Sequence, residues 1–273
     1  MRILFMGTPD FAVETLETLI HSEHEVIGVV TQPDKPKGRG GKVQFSPVKE
    51  AAIEAGIPVF QPNRVRDGAF IEQLRSILPD VTVVVAFGQL LTKEILELPR
   101  YGCLNVHASL LPKLRGAAPI QWSVIDGDKE SGVTIQQMDE GLDTGDILLK
   151  VEIPLDEKET GGSLHDKLAE AGARLCVETL DALKAGTVTP EKQGDSPTAY
   201  AKMLDKHMGK IDWKMSAKEI ERLIRGLNPW PSAYTRWNEN DKGMKIWEAE
   251  VAEGQTDKAA GTVVEVAKDG FFV

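Results

Sequence analysis

The chain is predicted to be an α/β protein built on a doubly wound, mostly parallel sheet with helices on both faces, and three observations lead there. Over residues 1–110, short apolar runs alternate with helix-periodic segments, the pattern of successive strand–helix crossovers. The run VTVVVAF (Val81 to Phe87) is apolar almost throughout, as a central strand covered on both faces requires. Three strand ends, MGTPDF, AFGQLL and NVHASLLP, close on polar or turn-forming residues. In open α/β sheets, ligands sit beyond the C-terminal ends of strands, at a switch in strand order.

The elements follow in order. RILFMG is a strand ending at Gly7, and FAVETLETLI sets Phe11, Leu16, Leu19 and Ile20 at helical spacing, with Pro9 expected to open the helix. This first turn lacks the GxGxxG glycines, which argues against a dinucleotide loop. HEVIGVVT is a second strand, SPVKEAAIEAG a helix opened by Ser46-Pro47 and closed by Gly56, and IPVF a third strand. DGAFIEQLRSI is a helix, and GCLNVH the strand after Val81–Phe87. Beyond residue 130, GVTIQQM and GDILLKVEIPL read as two strands joined through DEGLDT. SLHDKLAEAGARLCVETLDALKAG is an amphipathic helix. Ser163 with Asp166 is expected to cap it, Gly186 to end it, and Leu164, Leu168, Leu175, Leu180 and Leu183 to face a core. Residues 187–208 are a linker by composition. Then come a helix, SAKEIERLIRGL, and the strand-like pieces SAYTRW, MKIWEAEV, GTVVEVA and GFFV, which suggest a small β-barrel or sandwich. Because the chain stops on the apolar Phe271-Phe272-Val273, this domain is expected to be incomplete. The expected division is 1–186, a linker over 187–208, and 209–273.

Composition narrows the function classes. No apolar run is long enough for a membrane span, and the N-terminus lacks a signal-peptide cleavage site. Cys103 and Cys176 lie far apart and read as reduced thiols of a cytoplasmic protein. A net charge of −10 hides segregation. Residues 34–49 hold Lys35, Lys37, Arg39, Lys42 and Lys49 against Asp34 alone, whereas residues 126–170 carry thirteen acidic and four basic side chains. A polyanion would meet the first face and be turned away from the second.

The chemistry concentrates in GCLNVHASLLPKLRGAAPIQ. Asn105 and His107, two apart on a strand, point to the same face. An amide donates to a carbonyl oxygen becoming negative, and an imidazole donates or moves a proton. DEGLDTGD offers Asp139, Glu140, Asp143 and Asp146, of which Asp143, set between Gly141 and Gly145, is best placed to orient the imidazole. There is no GxSxG elbow and no HxH or HExxH, so neither a nucleophile nor a metal is expected. An amide, an imidazole and a carboxylate without nucleophile or metal suit direct transfer of an acyl group to an amine. A purely structural role for Asn105 and His107, satisfying strand-end backbone, is the competing reading.

NVHASLLPKLRGAAPIQ with GLDTGDIL resembles the signature of the folate-dependent formyltransferases. MGTPDFAVETLETL, TQPDKPKGRGGKVQFSPVKEAA, FQPNRV and NPWPSAYT extend the likeness over essentially the whole chain. The resemblance implies a Rossmann-like catalytic domain and a C-terminal OB-like barrel, which in the family continues past DGFFV. It implies 10-formyltetrahydrofolate as donor, and the α-amino group of methionine on initiator tRNA as acceptor. It assigns Asn105 and His107 to polarising the formyl group and Asp143 to supporting His107. Ser109, Leu110, Leu111 and Pro112 are expected to line the folate site, with Phe87, Gly88 and Leu90 offering backbone to the pterin. DKPKGRGGK becomes the loop that enters the tRNA acceptor end, with Arg39 as central contact and Lys35, Lys37 and Lys42 neutralising phosphates. Lys206 and Lys210 are expected to steer the same RNA. The implied partners are tRNA and folate, without DNA, membrane or metal, on a cytoplasmic monomer. Family members acting on a ribonucleotide amine or on water share the trio but leave the basic loop and second domain without a role.

Overall fold

The structure, a computed structural model, describes residues 1–37, 42–237 and 242–273. In chain order the elements are β1 (Arg2–Gly7), α1 (Phe11–Ile20), β2 (Glu25–Val30), β3 (Lys35–Lys37), β4 (Lys42–Gln44), α2 (Pro47–Glu54) and β5 (Val59–Phe60). These are followed by α3 (Gly68–Ile77), β6 (Val81–Val85), α4 (Lys93–Leu96), β7 (Cys103–His107), α5 (Pro119–Asp126), β8 (Glu130–Gln137), β9 (Ile147–Pro154) and α6 (Gly161–Ala185). A 3₁₀ turn at Lys206–Gly209 leads into α7 (Ala217–Gly226), β10 (Ala233–Trp237), β11 (Lys242–Ile246), β12 (Glu265–Val266) and β13 (Phe271–Phe272).

Seven strands form the central sheet in the order β5-β2-β1-β6-β7-β8-β9. The first five are parallel, and β8 and β9 pair antiparallel at one edge. Alternation along β1 shows that both faces are covered. Ile3 and Phe5 enter the core shared with α1, α2 and α6, while Leu4 and Met6 enter the core shared with α3 and α4. α6 lays Leu164, Leu168 and Leu180 into the first core, each fully buried, so truncating any one to alanine is expected to cost about 2–5 kcal/mol. The chain leaves β1 toward β2 on one side and reaches β6 on the other. The sheet therefore has its switch point at the C-terminal ends of β1 and β6, where a crevice opens.

Three local expectations are corrected. α1 is capped by Asp10, whose carboxylate accepts from the Phe11 amide, so Pro9 stands one residue outside the helix. α6 starts earlier than expected. Thr160 is its cap, and the reciprocal partner in the capping box is Ser163, which displaces the pairing of Ser163 with Asp166. Residues 187–208 are not a loose tether. Glu191 pairs with Ile147, Ala201 pairs with Gly116, and the Lys202 carbonyl accepts from the Trp122 indole.

α7 packs on α5 through Leu223 and Leu227 against Ala118, Trp122 and Ile125. Its Ile220 and Ile224 meet Ile211, Trp213 and Ala233 of the C-terminal part. That part consists, among the described residues, of the two-stranded antiparallel sheets β10–β11 and β12–β13, the strand content of a small barrel. Short helices α4 and α5 carry no expectation from the sequence, where their few residues are too short for periodicity to register.

Candidate active site

β7 delivers Asn105 and His107 to one face of the sheet at its C-terminal end, with His107 only 6% exposed. Its antiparallel neighbour β8 sets Gln136 directly opposite Asn105, and cross-strand partners share a face. Gln136 is thus a site residue the motif search passed over. Its signal was present in the pairing of GCLNVH with GVTIQQM, which becomes visible only once the two strands are known to be antiparallel neighbours.

Asp143 reaches the same point from the β8–β9 loop, on a backbone at φ +55°. Three side-chain nitrogens converge on its Oδ1: Gln136 Nε2 at 3.0 Å, Asn105 Nδ2 at 3.4 Å and His107 Nδ1 at 3.6 Å. Oδ2 accepts from the Gly116 amide at 2.9 Å. On the far side of the imidazole, His107 Nε2 stands 3.1 Å from the carbonyl oxygen of Leu114. A carbonyl can only accept, so Nε2 carries a proton, and neutral His107 keeps its lone pair on Nδ1, toward Asp143. In that tautomer Nδ1 is the ring nitrogen with a free lone pair.

These groups line a cavity of about 770 Å³ at the switch point. Its walls include Phe11 after β1, Val84 and Ala86–Lys93 around the end of β6, and Gly116–Gln121 leading into α5. Left-handed backbone at Ala86 and Gly88 turns the chain sharply after β6. The turn is pinned where the Phe87 carbonyl accepts from Thr8 Oγ1 (3.2 Å) and Gln32 Nε2 (3.1 Å). Of the four buried side-chain polar atoms without a partner among the described residues, three line this cavity: Gln89 Nε2, Thr92 Oγ1 and Gln136 Oε1. Buried polar groups are ordinarily paired, so a donor, a hydroxyl and an acceptor left open in one apolar hollow mark a ligand site.

Each expected residue can now be placed. Asn105, His107 and Asp143 come together. Phe87, Gly88 and Leu90 line the cavity, Phe87 from within the core and Leu90 largely exposed at the mouth. Ser109, Leu110, Leu111 and Pro112 form the turn directly after β7, next to Ala108 of the cavity wall. Their turn folds behind β7. Ser109 Oγ donates to the Lys113 carbonyl (2.7 Å), the Leu111 amide donates to Thr134 Oγ1 (3.1 Å), and Leu111-Pro112 is cis. Leu111 is buried in this turn. The turn returns the chain so that the Leu114 carbonyl meets His107.

Lys35 is exposed on β3, which pairs antiparallel with β4 in a hairpin. Its base is fixed by Lys49 to Asp34 (2.5 Å) and by Gln61 to Asp34 (2.8 Å). Lys37 and Lys42 are the facing ends of this hairpin, and Arg39 lies outside the described residues. Lys206 and Lys210 are exposed in and just after the 3₁₀ turn. Burial pushes the thiols of Cys103 and Cys176 up to about 12, so neither supplies a thiolate. No cluster of three metal-ligating side chains, and no helix long and apolar enough to cross a membrane, occurs among the described residues.

A doubly wound sheet with an amide, an imidazole and a carboxylate converging at its switch point is an arrangement suited to acyl-transfer enzymes. Residues 1–180 match the formyl transferase family and residues 203–273 its C-terminal domain, and the chain belongs to that family. It is 59% identical over 278 residues to the methionyl-tRNA formyltransferase of Lachnospira eligens, spanning all of this chain and 88% of that one. It is 55% identical over 273 residues to the methionyl-tRNA formyltransferase of Agathobacter rectalis, again over the whole chain and 87% of the relative. Among solved structures, the N-formyltransferase of Helicobacter canadensis in complex with folinic acid and dTDP-3-aminofucose shares the fold. Its TM-score is 0.71 at 20% identity, over 98% of this chain and 96% of that one.

Proposed function

We propose that this chain transfers the formyl group of 10-formyltetrahydrofolate to the α-amino group of methionine on initiator tRNA, in the cytoplasm, for translation initiation. The observation that carries the reading is the convergence of Asn105, His107 and Gln136 on Asp143 at the head of a cavity with three unpaired polar atoms. The similarity to methionyl-tRNA formyltransferases along the whole chain supports the choice of acceptor.

The donor fits the cavity's chemistry. An apolar wall of Phe87, Leu91 and Val84 suits a flat heterocycle, and backbone around Phe87, Gly88 and Leu90 suits its hydrogen-bonding edge. When bound, the folate supplies a carbonyl carbon activated by its amide-like nitrogen. The amine nitrogen forms the new C–N bond and the old C–N bond breaks. Asn105 Nδ2 donates to the carbonyl oxygen while it carries negative charge, a donor of this kind contributing about 3 kcal/mol, and His107, once it holds the amine's proton, adds positive charge beside it. His107 Nδ1 takes the proton the amine loses and hands it to the departing nitrogen. Asp143 holds the imidazole in place from its Nδ1 side. All these groups belong to one chain, so the reading needs no second copy.

For the acceptor, we assign Lys35, Lys37, Arg39, Lys42, Lys206 and Lys210 to the tRNA backbone, with catalysis in 1–186, a connector at 187–208 and RNA affinity in 209–273. The test is transfer from 10-formyltetrahydrofolate with methionine-charged initiator tRNA, glycinamide ribonucleotide and water as competing acceptors. Formyl-methionyl-tRNA as main product is expected. Formylated ribonucleotide or free formate as main product would overturn the acceptor assignment.

A further inference from the structure

The connector between the two matched regions touches the catalytic apparatus at several points, among them Thr198 Oγ1, which accepts from the Leu114 amide (2.9 Å), and Gln193. Residues 191–193 run against the Asp143 loop. Glu191 and Ile147 exchange backbone hydrogen bonds at 2.8 Å, and Lys192 Nζ pairs with Asp146 at 2.9 Å. Gln193, half-buried, comes next. Its Nε2 donates to the carbonyl oxygens of Asp143 (3.0 Å) and Gly145 (2.6 Å). Its Oε1 accepts from both Nε (3.1 Å) and Nη2 (2.8 Å) of Arg115, whose Nη2 also reaches the Gly194 carbonyl (2.9 Å).

The two things Gln193 holds are the two halves of the site. Asp143 carries the carboxylate that receives Asn105, His107 and Gln136. Arg115 stands between Leu114, whose carbonyl sets the His107 proton, and Gly116, whose amide binds Asp143 Oδ2. The Asp143 backbone is left-handed at φ +55° without being glycine, a conformation costing about 1 kcal/mol or more that surroundings must enforce. The turn cannot brace itself with bulk at Gly145, where an added Cβ would lie 1.8 Å from the Gln137 carbonyl. Beside the Gly116 amide on Asp143 Oδ2, the Gln193 side chain thus ties the backbone of the carboxylate loop to that of the imidazole loop.

We propose that Gln193 is a positioning residue for the transfer reaction: its amide locks the Asp143 turn to the Arg115 loop and thereby sets where Asp143 stands relative to His107. The inference rests on the formyl-transfer reading and adds a residue of the connector to it. A carboxylate displaced by about 1 Å costs up to about 100-fold in rate, while the substrate cavity, lined by other residues, is left intact.

The experiment compares wild type, Gln193→Ala and Gln193→Glu. The glutamate variant keeps the acceptor for Arg115 but cannot donate to the two carbonyls. Steady-state formylation of methionyl initiator tRNA is read together with thermal midpoint and with amide exchange followed by mass spectrometry. Both variants should lose about 10- to 100-fold in kcat, with KM for folate and tRNA within about twofold. Exchange should quicken at residues 139–146 and 114–118 while α6 stays protected. Wild-type kcat in either variant overturns the proposal. So does a loss confined to KM, or exchange that rises across the whole fold in step with a lowered midpoint. A wild type that forms no formylated tRNA sinks the parent reading, whereas an active wild type beside equally active variants sinks only the role of Gln193.

Discussion

His107 presents Nε2 to the carbonyl oxygen of Leu114 at 3.1 Å and Nδ1 to Asp143 Oδ1 at 3.6 Å. The first contact is an N–H donating to a carbonyl and holds in either protonation state. The second gains a hydrogen only when the ring is cationic. Neutral His107 is therefore expected as the Nε2–H tautomer, and nitrogen-15 correlation spectra of histidine-labelled protein would show it; the Nδ1–H tautomer would reverse the proton path drawn here. His107→Ala should lower kcat by about 100-fold or more while folate affinity, measured by calorimetry, stays within about threefold. Retained activity would remove the imidazole from the mechanism.

Gly116 links the imidazole loop to the connector. Its amide binds Asp143 Oδ2, its φ is +123°, and an added Cβ would meet the Ala201 carbonyl oxygen at 2.7 Å. Gly116→Ala therefore forces apart two backbones as well as adopting a disfavoured conformation, at about 1–3 kcal/mol. Because the shift pulls the amide off the carboxylate, kcat should fall more than stability alone accounts for. Urea unfolding and kcat measured on the same preparation would separate the two effects, and an unchanged kcat would show that the amide contact is dispensable.

Most of the sheet was legible because its signals are local. Val81–Val85 must be covered on both faces, and Asn105 and His107 must share one by strand periodicity alone. What stayed hidden depends on partners distant in sequence. Gln136 enters the site through antiparallel register with Asn105, and Gln193 through a contact 50 residues away, and neither leaves a spacing to read. Residues 187–208 have the composition of a tether, yet composition is blind to the hydrogen bonds that dock them.

His24 sits 7% exposed against the chain terminus, with the Met1 ammonium 3.4 Å from Nδ1 and the Asp181 carboxylate 3.4 Å from Nε2. Although Asp181 is near enough to count as an ion pair, Nε2 makes no hydrogen bond to it. Burial, then the ammonium, hold the imidazole below its ordinary 6.5, outweighing Asp181 and Glu23, with Lys184 adding to the depression. The folded protein thus binds this proton later than the unfolded chain. Between its lowered value and 6.5 the unfolded state holds more proton, so stability is full above that window and falls as pH drops through it. His24→Gln should narrow the loss of urea midpoint between about pH 7.5 and about pH 5.5 relative to wild type. An equal loss in both proteins would show that His24 does not titrate with folding.

The proposed function gives the cations of DKPKGRGGK the role of meeting tRNA phosphates. Asp34, the one acid in the stretch, is already taken by Lys49 and Gln61, which hold its carboxyl below the usual range, so it does not neutralise the lysines beyond it. The hairpin follows β2, and Gln32, two residues past the end of β2, donates to the carbonyl of the cavity residue Phe87, which puts the base of the hairpin beside the cavity. A cationic arm at that rim suits the phosphates of an acceptor stem whose terminal amine reaches His107. Arg39→Ala is expected to raise KM for methionyl initiator tRNA by about 10-fold and to reduce the salt slope of binding by about one. Folate binding should not change. Steady-state kinetics across a potassium chloride series reads both quantities, and an unaltered slope would leave the arm without phosphate contact through Arg39.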